Sequence, residues 1–250
     1  MCMRVRGVSS LPRWLGRKTY INGWDRPYLR GVLHGVITLA LVPALLCCCS
    51  AWAIGALPWF WWRFLLLLLA KFASHFASCM LHIYPHRSVS ALQKWMTADL
   101  VAAIFAVWAP TNAFLLDIGF WRAQFCIACC VGVSTYALIE SYSTATDAEL
   151  TTPYGRRLLR TIITMGWCTW STSLVGWHYG FRDLWIVGTV FYVTATAISP
   201  PFMRRYPPAP WHLPGCNGWH EDFHIGIAVG DACYITMACQ FLRRIPVESS

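Results

Sequence analysis

Hydrophobic residues in this chain occur in long runs that are separated by short polar or proline-containing segments. A run of about 20 mostly apolar residues is long enough to cross the roughly 30 Å hydrocarbon core of a membrane as a helix. Seven runs approach or exceed this length, in chain order 31–57, 60–83, 95–116, 120–140, 158–177, 184–198 and 219–242. The sixth run is the shortest. The pattern predicts an all-α protein, a bundle of seven transmembrane helices.

The composition supports a membrane protein. Hydrophobic residues make up 57% of the chain and charged residues only 12%, which excludes an ordinary soluble globule. The net charge of +9 would suggest nucleic-acid binding in a soluble protein, but here Arg and Lys follow the positive-inside rule. With a cytoplasmic N-terminus, fourteen of them lie on the cytoplasmic side and five on the opposite side. We therefore expect the bilayer as partner, no nucleic acid, and a C-terminus on the side opposite to the N-terminus.

Three segments are predicted along the chain: a basic cytoplasmic segment over residues 1–24, a seven-helix membrane domain over 25–242 and a tail over 243–250. The first segment has no Asp or Glu and several Arg and Ser, which is also typical of a mitochondrial transit peptide. We expect a multi-pass protein of the plasma membrane or endomembranes, with a mitochondrial membrane as the alternative. Most of the twelve Cys lie within apolar runs, where they act as small hydrophobes rather than as a thiolate metal site.

The second run carries an unusual number of polar residues. Lys71, Ser74, His75, Ser78 and His82 recur at spacings of three and four, which places them on one stripe of a helix. Ionisable groups inside a membrane need a partner or a function. This stripe is therefore predicted to face a polar interior and not the lipid.

The seventh run repeats the pattern, with His220, His224 and Asp231 on one helical face. At about 1.5 Å per residue, Lys71 lies about 16 Å from His82 along the second run, and Asp231 lies about 16 Å from His220 along the seventh. The two runs cross in opposite directions. Lys71 and Asp231 therefore reach the same depth, and we predict that they form a buried ion pair.

A metal site is predicted at the cytoplasmic ends of three runs. The second run ends there and the third and seventh begin there, so His82, Asp99, His220 and His224 can meet in one layer. Three neutral imidazoles with an open fourth position match a catalytic zinc site. Asp99 could be the fourth ligand, directly or through a water, although alone it could also cap a helix or pair with Lys94.

The remaining histidines are weaker candidates for metal ligands. His86 follows a proline, and His212 lies in a proline-rich loop. His34 and His178 are expected to sit at other ends of the bundle or to lack a partner.

Several of these segments resemble a known family. Residues 26–35 (RPYLRGVLHG), Ser78-x3-His82, Asp99 near the start of a run and the segment 220–224 (HEDFH) are similar to the hemolysin III family. That family belongs with the progestin and adipoQ receptors and, more distantly, with the alkaline ceramidases. The resemblance extends from about residue 25 to residue 241. Members often have Tyr and His where this chain has Leu81 and Leu100.

The resemblance implies a seven-helix membrane protein with Zn²⁺ on the cytoplasmic side. The zinc ligands would be His82, His220 and His224, with a water associated with Asp99, and Ser78 would lie beside them.

The chemistry of such a site favours a zinc-dependent hydrolase of lipid amides or esters, ceramidase-like, with a substrate that enters from the bilayer. Zinc polarises a carbonyl and lowers the pKa of a bound water to about 7. Asp99 would act as general base and then as proton donor. Ser78 would donate a hydrogen bond to the developing oxyanion.

Two other functions stay open. One is a progestin and adipoQ type membrane receptor or signalling protein in which zinc is structural, and the other is a hemolysin-like pore former. A rhodopsin-like receptor would need its N-terminus outside, which the charge distribution opposes. A transporter would be expected to show internal repeats and broken helices, and the sequence has no sign of them.

Overall fold

The computed structural model describes residues 29, 31–84, 86, 88–115, 128, 131–132, 135–136, 180–205, 209–212 and 218–244. Most of these residues are helical, and none of them forms a β-strand. The all-α prediction is confirmed for this part of the chain.

Five α-helices have a continuous described backbone. They are α1 (Val32–Ala53), α2 (Trp62–Ile83), α3 (Val89–Leu115), α4 (Arg182–Arg205) and α5 (Trp219–Arg244), and a 3-10 turn at Trp59–Trp61 precedes α2. Within the described residues, three segments are long and apolar enough to cross a membrane: α1, α2 with its preceding turn, and α5. They correspond to the first, second and seventh predicted runs.

The other predicted runs are described to different extents. The third and sixth runs are helical as α3 and α4. The fourth is described at five positions, all of them helical, whereas the fifth lies outside the described residues, as do the segment 1–24 and the tail beyond residue 244. The number of spans and their orientation therefore stay predictions.

Helix α1 ends before the predicted limit at residue 57 because a glycine terminates it. Gly55 has a φ of 72°, and its N–H donates to the carbonyl of Trp52 at 3.1 Å. The N–H of Ala56 donates to the carbonyl of Ala51 at 2.8 Å. This pair of hydrogen bonds is a Schellman motif, in which a left-handed residue closes the last helical turn.

Helix α3 begins at Val89, ahead of the predicted residue 95, because Ser88 caps it. The Ser88 hydroxyl accepts a hydrogen bond from the N–H of Ala91 at 3.1 Å, the usual contact of an N-cap serine. Helix α4 also exceeds its prediction of 184–198. Asp183 in its first turn favours a helix start, since acidic groups stabilise the positive end of the helix dipole.

Helix α2 lies at the centre of the described bundle. It packs against α1, α3 and α5, and α4 packs along α5. The apolar core between α2 and α5 contains Phe64, Leu67 and Leu68 from one helix and Met237 and Phe241 from the other. The polar stripe of α2 also faces the interior of the bundle, as predicted, since Lys71, His75, Ser78 and His82 are all buried.

Helices α2 and α5 run antiparallel. Lys71 in the middle of α2 contacts Asp231 in the middle of α5, and His82 at the end of α2 contacts His220 at the start of α5. The polar faces of the two helices therefore face each other over about half of their length, from the histidines to the ion pair.

Two glycines bring α4 close to α5. A Cβ atom added at Gly226 would lie 2.9 Å from the Cβ of Ala195, and one added at Gly230 would lie 2.7 Å from the ring of Tyr192. Small residues four positions apart allow two helices to approach closely within a membrane. This close approach places the hydroxyl of Tyr192 on the polar face of α5.

Candidate metal centre

Three histidines converge where α2 ends and α5 begins. Their ligand nitrogens all lie within 4.8 Å of one another. The Nε2 atom of His220 is 3.3 Å from Nε2 of His82 and 2.6 Å from Nε2 of His224. His82 and His224 are each 7% exposed, and His220 is partly buried. The structure thus brings together all three histidines predicted from the sequence.

The donor set fits a borderline-soft metal ion such as zinc. Imidazole nitrogen is a preferred ligand of such ions, and tetrahedral coordination at 2.0–2.1 Å places two nitrogens about 3.3 Å apart. The separation of His82 and His220 equals this value, whereas His220 and His224 are closer and need a small ring rotation. Three converging ring nitrogens also repel one another unless a proton or a cation lies between them.

The start of α1 fixes the backbone at His82. Gly31 has a φ of 86°, and a Cβ atom added to it would lie 2.8 Å from Cβ of His82. Any other residue would be strained and would push against the end of α2. The glycine inside the segment 26–35 therefore has a packing role next to the cluster.

Ser78 and Asp99 are the other two predicted site residues, and the cluster of close ligand atoms contains neither of them. Ser78 is one turn before His82 on α2 and is 2% exposed. Its hydroxyl lies near the carboxyl group of Asp99 on α3. The Ser78 hydroxyl forms no hydrogen bond of regular geometry with any described residue.

The position of Asp99 distinguishes between its two predicted roles, a direct metal ligand and a residue that contacts the metal through a water. Within the described chain, the cluster of mutually close metal-ligand atoms contains His82, His220 and His224 and not Asp99. Asp99 is partly buried on α3, across from Ser78. This arrangement favours contact through a water over direct ligation.

The buried pair predicted in the bundle is confirmed. Lys71 Nζ lies 2.5 Å from Asp231 Oδ1, and Lys71 is fully buried. Tyr192 of α4 adds a third member, because its hydroxyl donates to Asp231 Oδ1 and accepts from Lys71 Nζ at 2.7 Å. Tyr192 was not among the residues predicted from the sequence. Its only signal was the Gly226-x3-Gly230 spacing, which shows that a helix approaches α5 there.

The expectation that His34 lies at another end of the bundle or lacks a partner is wrong. His34 is 4% exposed, and its Nδ1 atom lies 2.8 Å from Nδ1 of His75. Its ring packs edge-on against the ring of His224, with 4.2 Å between centroids. The sequence did carry a signal for this position. Helix α1 begins at the end of the bundle where α2 ends, so a histidine in the first turn of α1 lies in the same layer as His82.

His75 lies between the ion pair and His34, which packs against the histidine cluster. Its Nε2 atom lies 2.9 Å from Asp231 Oδ2, while its Nδ1 atom contacts His34. A chain of buried polar contacts thus runs from His34 through His75 and Asp231 to Lys71, and the ring of His34 packs against His224 at one end of it.

Two further histidines stay apart from the metal centre, as expected. His86 lies beyond the end of α2, and its Nε2 atom is 3.1 Å from the carbonyl of Leu81. His212 accepts a hydrogen bond from the N–H of Ala209 through Nδ1, so its Nε2–H donates to Asp222 at 2.8 Å. This pair ties the loop 209–212 to the first turn of α5. His178 lies outside the described residues.

The chain matches no protein-family model, no curated protein and no solved structure.

Proposed function

We propose that this chain is a multi-pass membrane protein of the hemolysin III type and a zinc-dependent hydrolase of lipid amides, ceramidase-like in its chemistry. The observation that carries the proposal is the convergence of His82, His220 and His224 within 4.8 Å, next to an opposed serine and aspartate. Three histidines with an open position are typical of catalytic rather than closed structural zinc sites.

The surroundings of the cluster support a lipid substrate. Three described helices have the length and composition of membrane spans, and two of them, α2 and α5, carry the histidines. A substrate at the cluster therefore lies at the end of an apolar bundle, where a lipid headgroup and the start of its acyl chain would meet polar side chains. The partners are the bilayer and a lipid, and the membrane is the plasma membrane or an endomembrane.

The three histidines would hold the zinc. Zinc in such a site acts as a Lewis acid on a carbonyl and makes water a better nucleophile at neutral pH. The other residues then have separate roles. Asp99 takes the proton of the attacking water and later gives it to the leaving amine. Ser78 donates a hydrogen bond to the oxygen that becomes negatively charged during the attack.

Turnover of a labelled ceramide by the purified protein tests the proposal. We expect His220→Ala to abolish turnover, while the matched variant His86→Ala, which removes a histidine outside the cluster, retains it. Absence of turnover in the wild type, or equal turnover in His220→Ala, would contradict the hydrolase function. Retained zinc without turnover would instead favour a receptor with structural zinc.

Ser78 and Asp99 can be separated from the ligands by the same assay. Ser78→Ala should lower turnover about 10²- to 10³-fold, the usual loss for one oxyanion donor. Asp99→Asn should lower it about 10²- to 10⁴-fold, as expected for a general acid and base. Full turnover in either variant would remove that residue from the mechanism.

A further inference from the structure

His34 has an unusual environment next to the metal centre. It is 4% exposed, its Nδ1 atom contacts His75, and its ring contacts His224. The Nε2 atom of His34 has no hydrogen-bond partner among the residues that the structure describes. A buried polar atom left unpaired is unfavourable, because it has given up its hydrogen bonds to water. This nitrogen is therefore a candidate binding group for a molecule at the cluster.

The hydrogen bonds of the neighbouring residues determine what His34 Nε2 can bind. Lys71 and Tyr192 both donate to Asp231, so Asp231 is a carboxylate that only accepts. The Nε2–H group of His75 must therefore donate to the other carboxylate oxygen of Asp231, Oδ2. In neutral His75 the Nδ1 atom is then an acceptor, and His34 Nδ1–H donates to it. His34 Nε2 is thereby left as a lone-pair acceptor.

A neutral imidazole carries a single N–H, and that of His75 is taken up by the carboxylate of Asp231. The proton in the contact between His34 Nδ1 and His75 Nδ1 then comes from His34. The network therefore assigns His34 Nε2 as an acceptor.

We infer that His34 Nε2 accepts a hydrogen bond from the N–H of a substrate amide and that His34 thereby selects amides over esters. The inference rests on the proposed function and narrows its substrate class. A molecule held at the cluster lies beside His34, because the rings of His34 and His224 are in contact. An amide N–H would pair this acceptor, whereas an ester has no N–H and would leave it unpaired, so the amide gains one hydrogen bond over the ester.

A pair of hydroxamates tests the inference by binding rather than by turnover. Dodecanohydroxamic acid carries an N–H, and its N-methyl derivative has the same zinc-binding oxygens without the N–H. Their dissociation constants are measured on the zinc-loaded, full-length protein in detergent micelles. The wild type should prefer the N–H probe roughly three- to tenfold, the contribution of one hydrogen bond.

Two substitutions of His34 separate the acceptor from packing. His34→Asn keeps an amide N–H where Nδ1 donates to His75 but has no acceptor at the position of Nε2, so the preference should disappear. His34→Gln can place an amide oxygen near Nε2 and should retain part of the preference. Both variants should retain zinc, because His34 is outside the ligand cluster.

Several outcomes would overturn the inference. It fails if the wild type binds both probes equally, and this result depends on no variant. It also fails if His34→Asn keeps the full preference for the N–H probe. Zinc content and ceramide turnover of the same wild-type preparation distinguish the two proposals. Zinc and turnover without a probe preference overturn only the role of His34, whereas a wild type without zinc overturns the proposed function and this inference together.

Discussion

Lys71 Nζ and Asp231 Oδ1 lie 2.5 Å apart, on α2 and α5, and neither side chain is more than 8% exposed. Tyr192 and His75 complete the hydrogen bonds of the carboxylate. A buried charge with one partner removed typically costs 3–5 kcal/mol, whereas replacing both partners by neutral groups can cost little. The pair is therefore a sensitive point for the packing of α2 against α5.

Asp231→Asn should lower the free energy of unfolding by about 3 kcal/mol or more, because it leaves Lys71 charged and buried without a counter-ion. Adding Lys71→Met should restore part of the loss, since the double variant no longer buries a charge. Thermal or denaturant unfolding in detergent measures both effects. As a control, Lys94→Met changes an exposed lysine on α3 and should be close to neutral. Losses that simply add in the double variant would show that the two residues are not coupled.

Sequence spacing was sufficient to predict the ion pair and the three-histidine cluster. Helical periodicity places His220, His224 and Asp231 on one face, and the rise per residue gives Lys71 and Asp231 equal depth. Spacing carries no information about which further helix approaches this face. Tyr192 reaches Asp231 only because Gly230 admits its ring, and His34 joins the layer only through the packing of α1 on α2.

Metal analysis of the purified protein tests the ligand set. We expect close to one zinc per chain in the wild type and a large loss in both His82→Ala and His220→Ala, because each removes one of three nitrogens. The matched control is His86→Ala, a buried histidine whose Nε2 contacts a backbone carbonyl. Unchanged metal in either of the first two variants would exclude that residue as a ligand.

Asp99→Asn distinguishes direct ligation of the metal from contact through a water. Asp99 faces Ser78 and is not in the cluster of close ligand atoms, so this variant should retain most of its zinc while its turnover falls. Zinc content and turnover are measured on the same preparation. A loss of zinc as large as that in His82→Ala would instead identify Asp99 as a ligand.

Gly230→Ala should destabilise the protein by about 1–3 kcal/mol. The new methyl group would lie 2.7 Å from the ring of Tyr192, and overpacking of this kind displaces side chains or backbone. The displaced Tyr192 would also lose its hydrogen bond to Asp231. Gly132→Ala is the control, because Gly132 is helical and nothing lies within 4 Å of its added Cβ. Equal stability of the two variants would show that α4 adjusts without cost.

The two termini should lie on opposite sides of the membrane. Gly31 at the start of α1 packs against His82, so α1 begins at the cluster end of the bundle. Helix α5 also begins there, with His220, and ends at Arg244 on the far side. If these helices span the membrane, the chain crosses it an odd number of times in total, which agrees with seven runs.

Tags at residues 1 and 250, probed by protease in sealed right-side-out vesicles, measure the sides on which the two termini lie. The charge distribution predicts that the tag at residue 1 is protected and the tag at residue 250 is cleaved. Both tags on the same side would mean an even number of crossings, which is incompatible with α1 and α5 both starting at the cluster.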